Sequence, residues 1–231
     1  MSDRRVDQPI ASGRSGWIRT VLVWSIVFLS GFALMVLEIV GARYLAKDFG
    51  GSFYVWTSQI GVVLIALALG YTIGGILADR WGRARPLSWL LVPAGLIMVF
   101  IPEYTPPVVE AIILRHPPDE PIPALWQKLD PVLGSALIFL VPCLVLAVVP
   151  PYMIRLSARH LSHVGRTSGL VYAASTVGGI AGVFGSAYVL IDQMTVTTIF
   201  RATGVTTMLV GGLCLWMEPS GREKVNHSDA S

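Results

Sequence analysis

The chain has 231 residues, of which 54% are hydrophobic and only 13% carry a charge. Soluble domains carry about 25% charged residues, so this composition excludes an ordinary soluble domain and indicates a multi-pass membrane protein. The formal net charge of +3 comes from basic residues beside apolar segments. We interpret it as a signal of membrane orientation, and we expect no nucleic-acid partner.

Six apolar segments predict an all-α integral membrane domain of six transmembrane helices. In chain order they are residues 20–46, 54–78, 87–101, 132–154, 168–191 and 198–217. Most are close to the roughly 20 residues that cross a ~30 Å hydrocarbon core, although the third is short. The predicted division is a tail over residues 1–19, a membrane domain over 20–217 with a loop at 102–131, and a tail over 218–231. We expect residues 1–16 and 218–231 to be disordered.

Basic residues alternate from one side of these segments to the other. The connections before segment one and after segments two, four and six are rich in arginine, whereas the opposite connections hold only Lys47, Arg115 and Lys128 among several acids. The positive-inside rule therefore places both termini in the cytoplasm, with the domain in the inner (plasma) membrane. The first segment is longer than the apolar core of a signal peptide, so we expect it to remain as a helix.

Two features of the segments limit the chemistry. Cys143 and Cys214 both lie within apolar segments and have no His or Cys at ligand spacing, so we predict no disulfide, no metal site and no cofactor.

The loop at 102–131 is rich in proline, which predicts short amphipathic turns and no continuous helix. It is either a lid over the bundle or a plain connector, and both interpretations stay open.

Small residues recur every four positions in two segments, which predicts close helix packing because backbones can approach there. They are Ala66, Gly70 and Gly74 in the second segment, and Ser175, Gly178, Gly182 and Ser186 in the fifth.

Glu38 is an acid inside the first apolar segment, where a charge costs roughly 2.5 to 3.5 kcal/mol even on the mildest scale. At 3.6 residues per turn it shares a face with Gly31 and Gly41, so we expect it to point into the bundle. Its depth places it in the outer half of the bundle. The other polar or aromatic residues of that layer are Arg43, Gln59, Trp56, Arg201 and Asp192.

A buried carboxylate is normally neutralised by a cation, so we expect Glu38 to pair with Arg43 or Arg201. Two interpretations of this layer stay open. It is either a polar pocket, open to the outside, that binds a small molecule or passes protons, or an ion pair that fixes how the helices dock.

The segment GGILADRWGRAR, residues 74–85, resembles the cytoplasmic loop signature of the major facilitator transporters. The matching positions are Gly75, Asp79, Arg80, Gly82, Arg83 and Arg85. An aspartate at a helix end, followed by arginines, can clasp the terminus of a neighbouring helix, where exposed carbonyls favour cations. The same residue types also occur in any short cytoplasmic loop, which is the alternative.

Two longer stretches, residues 37–80 and 169–191, resemble the membrane domain of the fused major-facilitator/spermidine synthase family. The positions that carry the resemblance are Glu38, Arg43, Gly50, Tyr54, Trp56, Gly70, Gly74, Gly75, Asp79, Arg80, Gly169, Tyr172, Ser175, Thr176, Gly178 and Gly182. The resemblance implies a bundle similar to half of a major facilitator transporter. Asp192 and Gln193 depart from the family pattern, which favours apolar residues and proline there.

Fused members of that family continue into a soluble aminopropyltransferase-like domain, whereas this sequence stops at Ser231 without a glycine-rich nucleotide loop in an aqueous setting. We therefore expect no catalysis on this chain. The leading expectation is a non-catalytic membrane module that anchors or serves a separately encoded, soluble methyltransferase-fold partner. The alternatives are a half-size small-molecule transporter, with polyamines suggested by the family, acting as a dimer or with a second membrane subunit, and a structural subunit of a larger membrane complex.

Overall fold

The computed structural model describes residues 12–51, 53–117, 119, 121–157 and 164–217. The described chain is helical and contains no strand within those ranges. The C-terminal tail predicted at 218–231, and residues 1–11 of the N-terminal one, lie outside the described residues.

Eight α-helices follow one another along the described chain. They are α1 (Ser12–Phe49), α2 (Phe53–Trp81), α3 (Arg85–Val99), α4 (Ile101–Ile113), α5 (Ala124–Ser157), α6 (Val164–Gly185), α7 (Ile191–Gln193) and α8 (Val196–Trp216), with a π-helical turn at Ser186–Leu190 between α6 and α7. Five helical stretches are long and apolar enough to cross a membrane, and α3 with α4 forms a sixth candidate that is bent by 68°. The prediction of a multi-pass helical membrane protein is confirmed at this level.

Glycine and proline set several of the helix boundaries. Gly50 ends α1 with a φ of 83°, and Gly82 follows α2 with a φ of 60°, a region that favours glycine. Pro86 lies in the first turn of α3, where its missing N–H removes no helical hydrogen bond. These residues separate α1, α2 and α3 by short turns.

The segment after α3 differs from the sequence-based expectation. The prolines of 102–131 were expected to prevent a continuous helix, yet α4 runs unbroken from Ile101 to Ile113 through Pro106 and Pro107. Only residues 114–123 form the connection, because α5 already begins at Ala124. Tertiary contacts offset the lost backbone bonds: α4 buries one face, and the Tyr104 hydroxyl donates to the Ile138 carbonyl of α5 at 3.1 Å.

Close helix contacts build the bundle around α1 and α5. Helix α6 packs on α1 and helix α2 packs on α5, whereas α3 packs mainly on α8. In each pair a small residue lies against a backbone carbonyl of its neighbour, which leaves no room for a Cβ. The contacts are Gly178 with Phe28, Gly182 with Phe32, Gly70 with Leu144, Gly74 with Val148, and Gly95 with Gly204.

Two ends of the bundle are distinguished by their charges. We call the end that carries Arg80, Arg83, Arg85 and Arg155 the arginine-rich end, and the end that carries the connection 114–123 the loop end. The arginine-rich end is held by Asp79 of α2, whose carboxylate accepts from the Arg155 guanidinium of α5 at 2.5 Å.

Candidate functional site

Glu38 lies on α1 in the half of the helix nearer the loop end, beside the point where α1 meets α2 and α5. The Leu37 carbonyl accepts a hydrogen bond from Gln59 Nε2 of α2 at 3.4 Å. A Cβ at Gly41 would lie 2.8 Å from the same amide nitrogen and 2.9 Å from the Phe139 ring of α5. The residues on either side of Glu38 are therefore fixed by close contacts with both helices.

Gln59 is fully buried and joins α2 to α5. Its Oε1 accepts a hydrogen bond from the Ser135 hydroxyl at 2.5 Å, so both the carbonyl and the amino group of this side chain have partners. The sequence placed Gln59 in the same layer as Glu38 but did not identify Ser135, which is 76 residues away along the chain. The Gln59–Ser135 hydrogen bond thus lies beside the α1 turn that carries Glu38.

The π-helical turn that follows α6 also contacts α1, and it begins with a buried polar group that has no partner among the described residues. Ser186 is fully buried, and its hydroxyl is the only buried side-chain nitrogen or oxygen in the described ranges that makes no hydrogen bond. Gly178 lies against Phe28 and Gly182 against Phe32, so α6 runs alongside α1 and reaches Ser186 in the half of α1 that carries Glu38. Ser186 also begins the π-helical turn, a deviation that is frequent at functional sites.

Glu38 itself is half-buried and makes no ion pair or hydrogen bond with any described residue. The site thus comprises one acid that lacks a partner cation in the described chain, the Gln59–Ser135 hydrogen bond beside Leu37, and the Ser186 hydroxyl, which makes no hydrogen bond with a described group. These groups can bind a proton, a water molecule or a small cation.

The expected pairing of Glu38 with Arg43 or Arg201 does not occur among the described residues. Arg201 instead donates to Glu103 of α4 at 2.6 Å, and both side chains are exposed. The prediction failed because Glu103 was assigned to a loop, whereas the helical α4 carries it to α8. Arg43 is exposed and has no ion-pair partner in the described chain.

The other residues predicted for this layer are on the surface of the bundle. Trp56 is exposed on α2, and Asp192 is exposed on α7. Of the predicted layer, only Gln59 lies against the α1 turn that carries Glu38, through its hydrogen bond to the Leu37 carbonyl, and Ser135 in turn hydrogen-bonds to Gln59. Ser186 was expected to serve helix packing alone, so the missing hydrogen bond is information that only the structure supplies.

A separate polar cluster, which we call the loop clasp, lies at the loop end and consists of Arg115, His116, Trp126 and Asp130. Asp130 is buried and holds both the Arg115 guanidinium and His116 Nε2, the latter at 2.8 Å. The Arg115 guanidinium also lies 4.1 Å from the centre of the Trp126 ring. The clasp fastens the connection after α4 to the start of α5. Sequence reasoning missed it because Arg115 and His116 lie in the connection, whereas Asp130 lies 15 and 14 residues further along, in α5.

The loop motif at residues 74–85 divides into structural and exposed members. Asp79 is engaged by Arg155, and the Tyr152 hydroxyl donates to the Arg83 carbonyl at 2.5 Å, so both contacts tie this turn to α5. The side chains of Arg80, Arg83 and Arg85 are exposed and form no ion pair with another described residue. A Cβ at Gly75 would meet no described atom within 4 Å.

No other chemistry-bearing cluster is present in the described ranges. They contain no group of three or more His, Cys, Asp or Glu residues placed to hold a metal ion, and Cys143 and Cys214 are both free and buried. The sequence matches no protein-family model, no curated protein and no solved structure. Function is therefore inferred from these side chains and their contacts, and the family resemblance remains an expectation.

Proposed function

We propose that this chain is a transport module of the inner membrane that binds a proton or a small cation at Glu38. The observation that supports this is the half-buried carboxyl on α1, which has no cation beside it among the described residues. An acid that serves only to dock helices is expected to be neutralised by a partner, because an unpaired charge within the bilayer is costly. Acids retained in that state usually mark ion or substrate paths.

The chain forms a single helical bundle, whereas the proposed transport requires two such bundles. Secondary transporters bind their substrate near the membrane midplane, between two repeated bundles that rock against each other. Helices α2 and α6, which flank the Glu38 turn, each leave a large apolar surface exposed. A second copy or a second membrane subunit on that surface would enclose the site. The family resemblance favours an amine cation such as a polyamine as the substrate.

The orientation of the module follows from how α5 is placed. Arg155 at the end of α5 pairs with Asp79, which lies just before α3, so α5 begins at the opposite end of the bundle. We infer that α3 and α4 connect the two ends and together act as one crossing. This supports six crossings with both termini on the same side, and the positive-inside rule puts the arginine-rich end in the cytoplasm.

A second candidate is a membrane anchor for a soluble methyltransferase-fold partner. The observation that favours it is the exposure of Arg80, Arg83 and Arg85 at the arginine-rich end, since such a surface suits an acidic protein face. The two functions predict different effects of replacing Arg80, Arg83 and Arg85. An anchor co-purifies with a soluble partner, and replacing these three arginines releases that partner. A transporter keeps its transport activity when the same three arginines are replaced.

The proposed function is tested with the full chain in proteoliposomes. We expect the wild-type protein to move protons, read by a trapped pH-sensitive dye under a potassium diffusion potential, or to accumulate radiolabelled spermidine. The Glu38→Gln variant keeps the size of the side chain but cannot carry the charge, so we expect the flux to fall at least tenfold. The matched control is Glu110→Gln, an exposed acid on α4.

Two results would overturn the proposal. One is a wild-type protein that moves neither probe, and the other is a Glu38→Gln variant with unchanged flux. A thermal unfolding midpoint of Glu38→Gln that is no lower than that of Glu110→Gln, measured in detergent, shows that a loss of flux does not come from a loss of the fold.

A further inference from the structure

A groove opens between α3 and α8 at the arginine-rich end, and its lining changes from charged at the helix end to apolar further in. Its volume is about 330 Å³. The residues that line it are Arg85, Ser88, Trp89, Val92, Pro93 and Leu215. Arg85 is the first residue of α3, whereas Val92 and Pro93 lie about two turns further in, so the groove runs roughly 11 Å from the helix end toward the middle of the bundle.

The head of this groove carries one positive charge. Arg85 is exposed, and its guanidinium forms no ion pair in the part of the chain that the structure describes. The neighbouring Ser88 hydroxyl is already used, since it donates to the Arg85 carbonyl at 2.7 Å. The guanidinium is therefore left as the polar group of the groove that is available to a ligand.

The remaining walls are apolar and point toward hydrocarbon. Trp89 is 72% exposed one turn below Arg85, a position typical of aromatic residues at the level of lipid headgroups. Val92, Pro93 and Leu215 continue the surface without any charged group. A ligand that fits both parts has an anionic head and an aliphatic chain.

We propose that this groove binds one anionic phospholipid, with its phosphate on the Arg85 guanidinium and an acyl chain along Trp89, Val92 and Leu215. The charge at the head selects against a zwitterionic lipid, because the choline group of the latter repels a guanidinium and offsets its own phosphate. The larger groove between α1 and α6, of about 660 Å³, has no charged residue in its lining and so identifies no occupant.

The test compares retention of phosphatidylglycerol and phosphatidylcholine by the purified full chain, measured by native mass spectrometry after titration of each lipid. We expect one phosphatidylglycerol to be retained preferentially. Arg85→Gln is expected to lower that retention about 5- to 10-fold, to the level of phosphatidylcholine, since one arginine at a membrane surface contributes on this scale. The matched control is Arg83→Gln, an exposed arginine two residues away that does not line the groove.

A second variant separates the groove from the charge. Val92→Trp fills the groove and keeps Arg85, so we expect it to lose phosphatidylglycerol as well. Equal retention of the two lipids by the wild-type protein would overturn the proposal, as would unchanged retention by Arg85→Gln or an equal loss with Arg83→Gln. A loss with Arg85→Gln alone upholds the proposal even if Val92→Trp does not fold.

Discussion

At the scale of single residues, a substitution of Glu38 distinguishes a structural role from a functional one, because the two roles predict opposite changes in the stability of the fold. Replacing the acid of a structural ion pair lowers the stability of the fold, because it leaves the partner cation buried and unpaired. Replacing an unpaired acid by an apolar residue of similar size raises the stability of the fold. Glu38 makes no ion pair with any described residue, so it belongs to the second case.

We therefore expect Glu38→Met to raise the free energy of unfolding by about 1 to 3 kcal/mol, since it removes a partly buried charge from the membrane interior. The measurement is the thermal unfolding midpoint in a mild detergent. The control is Glu110→Met on the exposed surface of α4, where little change is expected. A lower midpoint for Glu38→Met would show that a cation neutralises this carboxyl and that Glu38 has a structural role.

At the scale of elements, the helix contacts depend on which of two adjacent glycines faces a neighbour. A Cβ at Gly74 would lie 2.6 Å from the Val148 carbonyl oxygen and 2.8 Å from the Pro151 ring, whereas a Cβ at Gly75 would meet no described atom within 4 Å. Helix propensity favours alanine over glycine by up to about 1 kcal/mol at both positions. Packing alone distinguishes them.

We expect Gly74→Ala to lower the free energy of unfolding by about 1 to 3 kcal/mol, because α2 must move away from α5 to admit the methyl group. Gly75→Ala, its matched control, should leave stability unchanged or slightly raised. Both are measured as shifts of the thermal unfolding midpoint in detergent. Equal midpoints for the two variants would contradict the α2–α5 contact described above.

At the scale of the whole molecule, the number of crossings decides which ends share a compartment. If α3 and α4 together cross the membrane, Asp119 and Arg83 lie on opposite sides. If the bent pair returns to its starting side, they lie on the same side. Cys143 and Cys214 are both buried, so they give little background for thiol labelling of an introduced cysteine.

We expect an impermeant maleimide to label Asp119→Cys in intact cells and to label Arg83→Cys only after the membrane is permeabilised. The expectation rests on the position of α5 and on the positive-inside rule. The unmodified chain is the control for background labelling. Labelling of both variants from the same side would mean five crossings, and the reverse pattern would mean the opposite orientation.

Local features of the sequence predicted the helices, and to that extent the fold. Five apolar segments became helices able to cross a membrane because length and hydropathy are properties of a short stretch. The four-residue spacing of Gly70 and Gly74, and of Gly178 and Gly182, marks helix faces that lie on a neighbouring backbone, since that periodicity is also local. Helical phase also predicted that Glu38 faces the bundle, and in the structure its side chain is half-buried.

By itself, then, the sequence determined a multi-pass helical protein, the faces along which its helices pack, and one acid set within an apolar helix. The tertiary structure decided the partners: Glu103 for Arg201, Ser135 for Gln59, Asp130 for Arg115 and His116, and no described cation for Glu38. It also made a helix of the proline-rich segment at 101–113. The physical reason is distance along the chain, because these contacts join residues up to 98 positions apart and no local pattern encodes which of them will meet.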